Sequence, residues 1–146
     1  MSAEPAPPLT VACAGVPITA IEPMDAVSRL IDLAQRAPAD GTGMDIHLCN
    51  AYTLALADKD DAFRHMLNHA SMNLPDGAPV AWALRREGFL KQERINGPDL
   101  MWRYLSVAEK IGQSVFFYGS ADDTLEKLSA RIKKQFPKLR IAGMVS

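Results

Sequence analysis

The sequence predicts an α/β layered fold, with a largely parallel sheet and flanking helices, on three observations. Short β-prone runs alternate with apolar stripes at helical spacing along the whole chain. Several of these runs hand over to a helix through a turn at their C-terminal end. The last such unit, strand Ser114–Tyr118, turn Gly119 and helix Ala121–Phe136, is followed at once by another β-prone run, Leu139–Val145. Parallel neighbours need a crossover between them, usually a helix, and this alternation supplies it. No internal repeat is visible.

Taken in order, Thr10–Ala14 and Ile18–Ile21 are β-prone runs split by Gly15-Val-Pro17, which suits a turn. A helix is predicted from about Pro23, with Val27, Leu30, Ile31 and Ala34 as its apolar stripe. It stops by Pro38, and Ala39–Gly43 reads as loop. Asp45–Asn50 reads as a buried strand leading into a helix from about Ala51 to Ala57. A further helix carries Phe63, Met66, Leu67 and Ala70 on one face. An extended piece, Met72–Leu74, ends at Pro75-Asp76-Gly77. Helix Pro79–Glu87 follows, then a polar loop through Gly88 and Arg94, then a helix with Met101, Tyr104, Leu105 and Ala108. In Ala121–Phe136 the inward positions are Leu125, Leu128, Ile132 and Phe136. The chain stops at Ser146 on the new strand without the crossover helix its pattern calls for, and is therefore read as an incomplete domain.

Composition excludes several classes. With 48% hydrophobic and 23% charged residues, the 146-residue chain has material for one globular domain. A net charge of −1 gives no footprint for nucleic acid. Residues 1–9 read as a disordered leader, since they lack the basic and apolar regions of a signal peptide; residues 10–146 read as the folded part. The longest mostly apolar stretch, Val11 to Ile21, is broken by Gly15 and Pro17 and is far short of a membrane span. Cys13 and Cys49 read as small buried hydrophobes in a reducing cytoplasm. No zinc spacing, P-loop or Gly-x-Ser-x-Gly pattern is present.

Three features fall at strand C-terminal ends, where α/β proteins place ligands. Asp76, in Leu74-Pro-Asp-Gly77, reads either as turn chemistry or as a carboxylate fit to deprotonate a sugar hydroxyl. Asn50 reads either as a helix cap or as an amide that bonds sugar hydroxyls. Gly119 and Ser120 resemble a phosphate-binding turn with a single glycine. Asp122 and Asp123 in the following helical turn favour the helix dipole but repel an anion. In the loop, Arg94 of Glu93-Arg-Ile-Asn-Gly-Pro-Asp99 is either a surface residue or a guanidinium for a diphosphate.

Other patterns carry less. Asp58-Lys-Asp60 matches the Asp-x-Asp metal pattern, but aspartates between two helices serve as caps. His65 and His69 stand at i, i+4 without a third ligand. The late basic residues Lys127, Arg131, Lys133, Lys134, Lys138 and Arg140 read as a solvated face, with attraction to anionic lipid as the sharper alternative.

The order of Asn50 after a strand, a helical pair, Leu74-Pro-Asp-Gly77, Gly88, Glu93-Arg-Ile-Asn-Gly97 with Asp99-Leu100, and Val115-Phe-Phe-Tyr-Gly119 resembles the WecG/TagA/CpsF glycosyltransferase family from about Ile18 to the last residue. The resemblance implies a Rossmann-like, inverting transferase without a metal or other cofactor. Such an enzyme moves a sugar, typically of N-acetylmannosamine type, from a UDP-sugar to a polyprenyl-diphosphate-linked acceptor in bacterial envelope polysaccharide synthesis. By position, Asp76 matches the proposed general base, Asn50 the active-site asparagine and Arg94 an arginine thought to assist the diphosphate. Gly119 and Ser120 fall to the nucleotide side. Members often carry Thr two positions before the asparagine, where this chain has Leu48, and family domains run on well beyond a position like Ser146.

The implied place is the cytoplasm, peripherally at the inner face of the plasma membrane. An unfinished sheet edge would favour homo-oligomers. The alternatives are a non-catalytic remnant or interaction module of the same fold, and a different nucleotide-binding α/β enzyme. The second is disfavoured because no Gly-x-Gly-x-x-Gly run follows a strand.

Overall fold

The computed structural model describes residues 8–36 and 41–146. The expected helix stop at Pro38, the start of the loop over 39–43 and most of the expected leader lie outside these residues. The described residues form two compact units, one up to Leu100 and one from Met101.

The first unit opens with a hairpin. Strands β1 (Thr10–Cys13) and β2 (Val16–Thr19) pair antiparallel with Cys13 opposite Val16. The connection is the two residues Ala14 and Gly15, at φ 49° and 76°. Such a turn, with both central residues left-handed, matches the twist of the flanking strands. The turn therefore sits earlier than Gly15-Val-Pro17, and Val16 and Pro17 belong to β2. Leu9, counted with the leader, has a defined place, because its carbonyl accepts the N–H of Ala20 at 2.9 Å.

Helix α1 (Pro23–Gln35) starts on its proline, whose missing N–H costs nothing there. It buries Ala26, Val27 and Ile31. Ala34, expected on the same stripe, is exposed. Leu33, in the same last turn, packs against the core instead.

Strands β3 (Ile46–Cys49) and β4 (Met72–Pro75) pair parallel, from Ile46 opposite Met72 to Cys49 opposite Pro75. Side chains alternate across a strand, so the pair serves two cores. Ile46, Leu48, Met72 and Leu74 pack with Ala26, Leu30 and Ile95 on one side. Cys49 points to the other, among Val16, Ile18, Leu54, Leu67, Val80 and Leu84. Burial on both faces is the ordinary condition of parallel strands. Between β3 and β4 run α2 (Ala51–Lys59) and α3 (Asp61–His69). Asp60 ends the first and caps the second, accepting the Phe63 N–H at 3.0 Å, so the capping reading of Asp60 holds.

One polar side chain is built into this core. Asn73 of β4 is 2% exposed, and its Nδ2 donates to the carbonyls of Pro17 at 3.0 Å and Leu67 at 2.8 Å. Its Oδ1 accepts from the Cys49 thiol at 3.7 Å. A single amide thus ties β4 to β2, α3 and β3. Helix α4 (Ala78–Arg86) follows β4, entered through Gly77 at φ 86° and ψ 154°. Only glycine adopts that region without strain.

Helix α5 (Gly97–Ile111) carries the chain into the second unit. There β5 (Ser114–Tyr118) and β6 (Arg140–Val145) pair parallel around α6 (Asp122–Gln135), with a register irregularity at Val115/Phe116. Leu105, Ile132 and Phe136 form its core, joined by Val115, Phe117, Leu128, Ile141 and Met144. The predicted inward face of α6 is observed. Of the late basic residues, Arg131 lies over the Trp102 ring at 4.9 Å and Lys127 pairs with Asp123 at 3.4 Å.

The mixed α/β class stands. The single largely parallel sheet, however, resolves among the described residues into three two-stranded pairings, of which β1–β2 is antiparallel. A two-residue connection permits no other direction.

Two changes test this account by chemical denaturation. Replacing Asn73 by Leu takes the amide donor from the Pro17 carbonyl and leaves the Leu67 carbonyl with the Ala70 N–H alone, and is expected to cost about 1–3 kcal/mol. Gly77→Ala is expected to cost about 1–3 kcal/mol through backbone strain alone, although its new methyl would meet no atom closer than 3.8 Å.

Candidate active site

The parallel register sets the site. Cys49 stands opposite Pro75, so the next residue of each strand, Asn50 and Asp76, emerges at the same C-terminal edge. The pairing runs one step past the strands, because the Asp76 N–H donates to the Cys49 carbonyl at 3.0 Å. A Cβ on Gly77 would lie 3.8 Å from the Asn50 Cβ. The two residues singled out by sequence therefore stand side by side along the backbone at one strand edge.

Asn50 fills the capping role that the sequence offered for it. It is exposed at the strand edge, and its Oδ1 accepts the Thr53 N–H at 3.0 Å, capping α2. The Thr53 hydroxyl donates to the same oxygen at 3.2 Å. Asp76 is half-buried, and its carboxylate is close enough to act on the thiol behind it. Burial pushes the Cys49 thiol up to about 11, and the negative charge of Asp76 adds to the effect. Cys49 is therefore a protonated core residue, as its composition-based reading expected.

Arg94 reaches the edge through its loop. The Ile95 N–H donates to the Pro75 carbonyl at 2.8 Å, which binds the residue after Arg94 to the end of β4. On the other side stands Gln92, 5% exposed. Its Nε2 donates to the carbonyls of Ile21 at 2.7 Å and Glu93 at 2.8 Å, and its Oε1 accepts the Ile21 N–H at 2.9 Å. Arg85 Nη1 donates to the Gln92 carbonyl at 2.8 Å. The backbone on both sides of Arg94 is thus fixed, while Arg94 itself is exposed and forms no ion pair among the described residues. Asn96 and Asp99 close the segment, with the Asp99 N–H on Asn96 Oδ1 at 2.9 Å and Asn96 Nδ2 on Asp99 Oδ2 at 2.6 Å.

A groove of about 410 Å³ is lined by Ala14, Ala51, Leu54, Ala55, Asp58, Pro79, Val80 and Ala83. Its walls are α2 along its length, the first two turns of α4 and the hairpin turn at Ala14.

Gly119 and Ser120 stand in the second unit, after β5. Both have positive φ, 99° and 75°, and the Gly119 N–H donates to the Val145 carbonyl at 2.7 Å. The cap of α6 is Ala121, which offers no side-chain bond; Asp122 and Asp123 alone complement the helix dipole. His65 and His69 stack on each other at 4.0 Å, and His69 Nδ1 meets the His65 carbonyl at 2.8 Å. Sequence reasoning missed Thr53 and Gln92. An Asn-x-x-Thr cap pattern could have drawn attention to Thr53, whereas nothing local marks Gln92 as buried.

A model of the Glycosyl transferase WecG/TagA/CpsF family matches residues 11–146. The chain is similar to the N-acetylglucosaminyldiphosphoundecaprenol N-acetyl-beta-D-mannosaminyltransferase of Bacillus subtilis (strain 168), with 31% identity over 101 residues, 69% of this chain and 40% of that protein. The protein of the same name from Bacillus spizizenii is 34% identical over 87 residues, 60% of this chain and 34% of its own length. The matched segments thus span well under half of these relatives. With the family pattern running from β1 to the last residue, the chain belongs to the WecG/TagA/CpsF glycosyl transferase family.

Proposed function

We propose that this chain carries the general base and part of the substrate cleft of an inverting glycosyltransferase. The enzyme moves an N-acetylmannosamine-type sugar from a UDP-sugar to a sugar on a polyprenyl diphosphate, in bacterial envelope polysaccharide synthesis. The observation that carries the reading is the placement of Asp76 beside Asn50 at the C-terminal ends of two parallel strands, with the Arg94 segment bonded to the same end. The names of the two Bacillus relatives support the lipid-linked acceptor and the sugar type.

In this reading Asp76 takes the proton of the attacking hydroxyl as it adds to the anomeric carbon, opposite the departing UDP. Asn50 holds a sugar oxygen. The Arg94 guanidinium answers the charge that grows on the diphosphate as the bond breaks, which is when its attraction helps most. Gly119 and Ser120 are assigned to the donor nucleotide, through backbone groups rather than through the end of α6, where two aspartates oppose a phosphate. Among the described residues no helix is long and apolar enough to cross a membrane. Peripheral work at the cytoplasmic face of the membrane is part of the proposal, since the acceptor is a lipid.

Two variants of the full-length protein test the reading, assayed with UDP-N-acetylmannosamine and a lipid-diphosphate-linked N-acetylglucosamine. Asp76→Asn is expected to lower turnover by about 10²–10⁴-fold, with folding and UDP-sugar binding intact; unchanged turnover removes Asp76 as the base. Arg94→Ala is expected to weaken productive donor use by roughly 10–100-fold, the worth of a charge-assisted bond. Wild-type kinetics there would return Arg94 to the solvated surface.

A further inference from the structure

The hydrogen bonds around Asn50 decide which of its two polar atoms can serve a ligand. A backbone N–H only donates, so the atom facing the Thr53 N–H at 3.0 Å must be the amide oxygen, and this fixes the flip of the side chain. That oxygen has two acceptor positions. The Thr53 N–H takes one and the Thr53 hydroxyl, at 3.2 Å, takes the other. With both occupied, Asn50 has no acceptor left to offer. Its Nδ2 has no partner among the described residues and retains both N–H donors at the exposed strand edge.

We infer that Asn50 acts on the substrate solely as a hydrogen-bond donor, and that Thr53 is the positioning residue that makes it so. The inference rests on the reading of Asp76 and Asn50 as one active site, and names the chemistry they share. Asp76 supplies only acceptors when ionised, and Asn50 supplies only donors. The group that satisfies both is a sugar hydroxyl, whose oxygen takes an N–H from Asn50 and whose proton goes to Asp76. A substrate ammonium, which only donates, would find an acceptor at Asp76 but a repelling N–H at Asn50. The hydroxyl is thereby held by its lone pair as well as by its proton, and its remaining lone pair has one direction in which to attack.

Capping and ligand binding can be separated by substitution, because Asp and Ser cap helices about as well as Asn. In the full-length protein, Asn50→Asp and Asn50→Ser are both expected to keep the wild-type melting temperature. Each should lose about 10²-fold or more in kcat/KM with UDP-N-acetylmannosamine and the lipid-linked acceptor, as removal of a preorganised donor does. Thr53→Val keeps the backbone bond and frees one lone pair; a loss of about tenfold is expected, with Thr53→Ser restoring the rate. If Asn50→Ser transfers at the wild-type rate, the amide donor is not used and the inference is overturned. A wild-type rate for Thr53→Val removes Thr53 as the positioning residue. Asp76→Asn assayed in parallel keeps the two questions apart. Loss there with a retained rate in Asn50→Ser sinks only the donor assignment, whereas a retained rate in Asp76→Asn sinks the reading of the site.

Discussion

The parallel pairing of β3 with β4 is the constraint from which the first unit follows. Parallel strands cannot be joined by a tight turn, so α2 and α3 must cross between them. They cannot face water on either side, so α1 covers one face while α2, α3 and α4 line the other. The register then delivers Asn50 and Asp76 to the same edge without further adjustment. Asn73 locks that register from inside, since a one-residue slip of β4 would turn its amide away from the carbonyls of Pro17 and Leu67.

Around this edge, polar groups are divided between those that hold the backbone and those that face outward. Gln92 spends its whole amide on the connection between β2 and α1 and on the Glu93 carbonyl, fixing a loop that would otherwise have no regular partner. The adjoining Ile95 N–H completes the anchorage at Pro75. Among the described residues, Arg94 itself, the Asn50 amide nitrogen and the Asp76 carboxylate have no partner. In the proposed reading these three groups, a cation, a donor and an acceptor, serve a sugar and its diphosphate while the scaffold is satisfied internally. The relatives named for transfer onto a diphosphoundecaprenol-linked sugar fit that chemistry.

The second unit is built on the same local rules with different balance. Only one face of β5–β6 is packed, by Leu105, Ile132 and Phe136, while Phe116 and Tyr118 on the alternate positions are 57% and 85% exposed. Strict alternation along Ser114–Tyr118 follows from the strand period. Gly143 stands where the Phe116 ring crosses the neighbouring strand, and any Cβ there would fall within 2.5 Å of it.

The sequence by itself determined the element types, because periodicity and caps act over a few residues. The Pro23 start of α1, the strand Ser114–Tyr118 and the inward face of α6 all rest on such local signals. It determined the strand-end positions of Asn50 and Asp76 as well, since a strand that runs into a turn and a helix puts its last residue at the edge. Only the tertiary structure decided that these two residues are neighbours, because strand pairing joins residues 26 apart and leaves no trace in either segment. It also decided that Gln92 is a buried clamp within a loop of polar letters, that the hairpin turns at Ala14-Gly15 rather than over Gly15-Val-Pro17, and that Leu33 rather than Ala34 packs inward at the end of α1. In each case the deciding contact is with a distant element, and a side chain's neighbours across a fold are not written in its own neighbourhood of the chain.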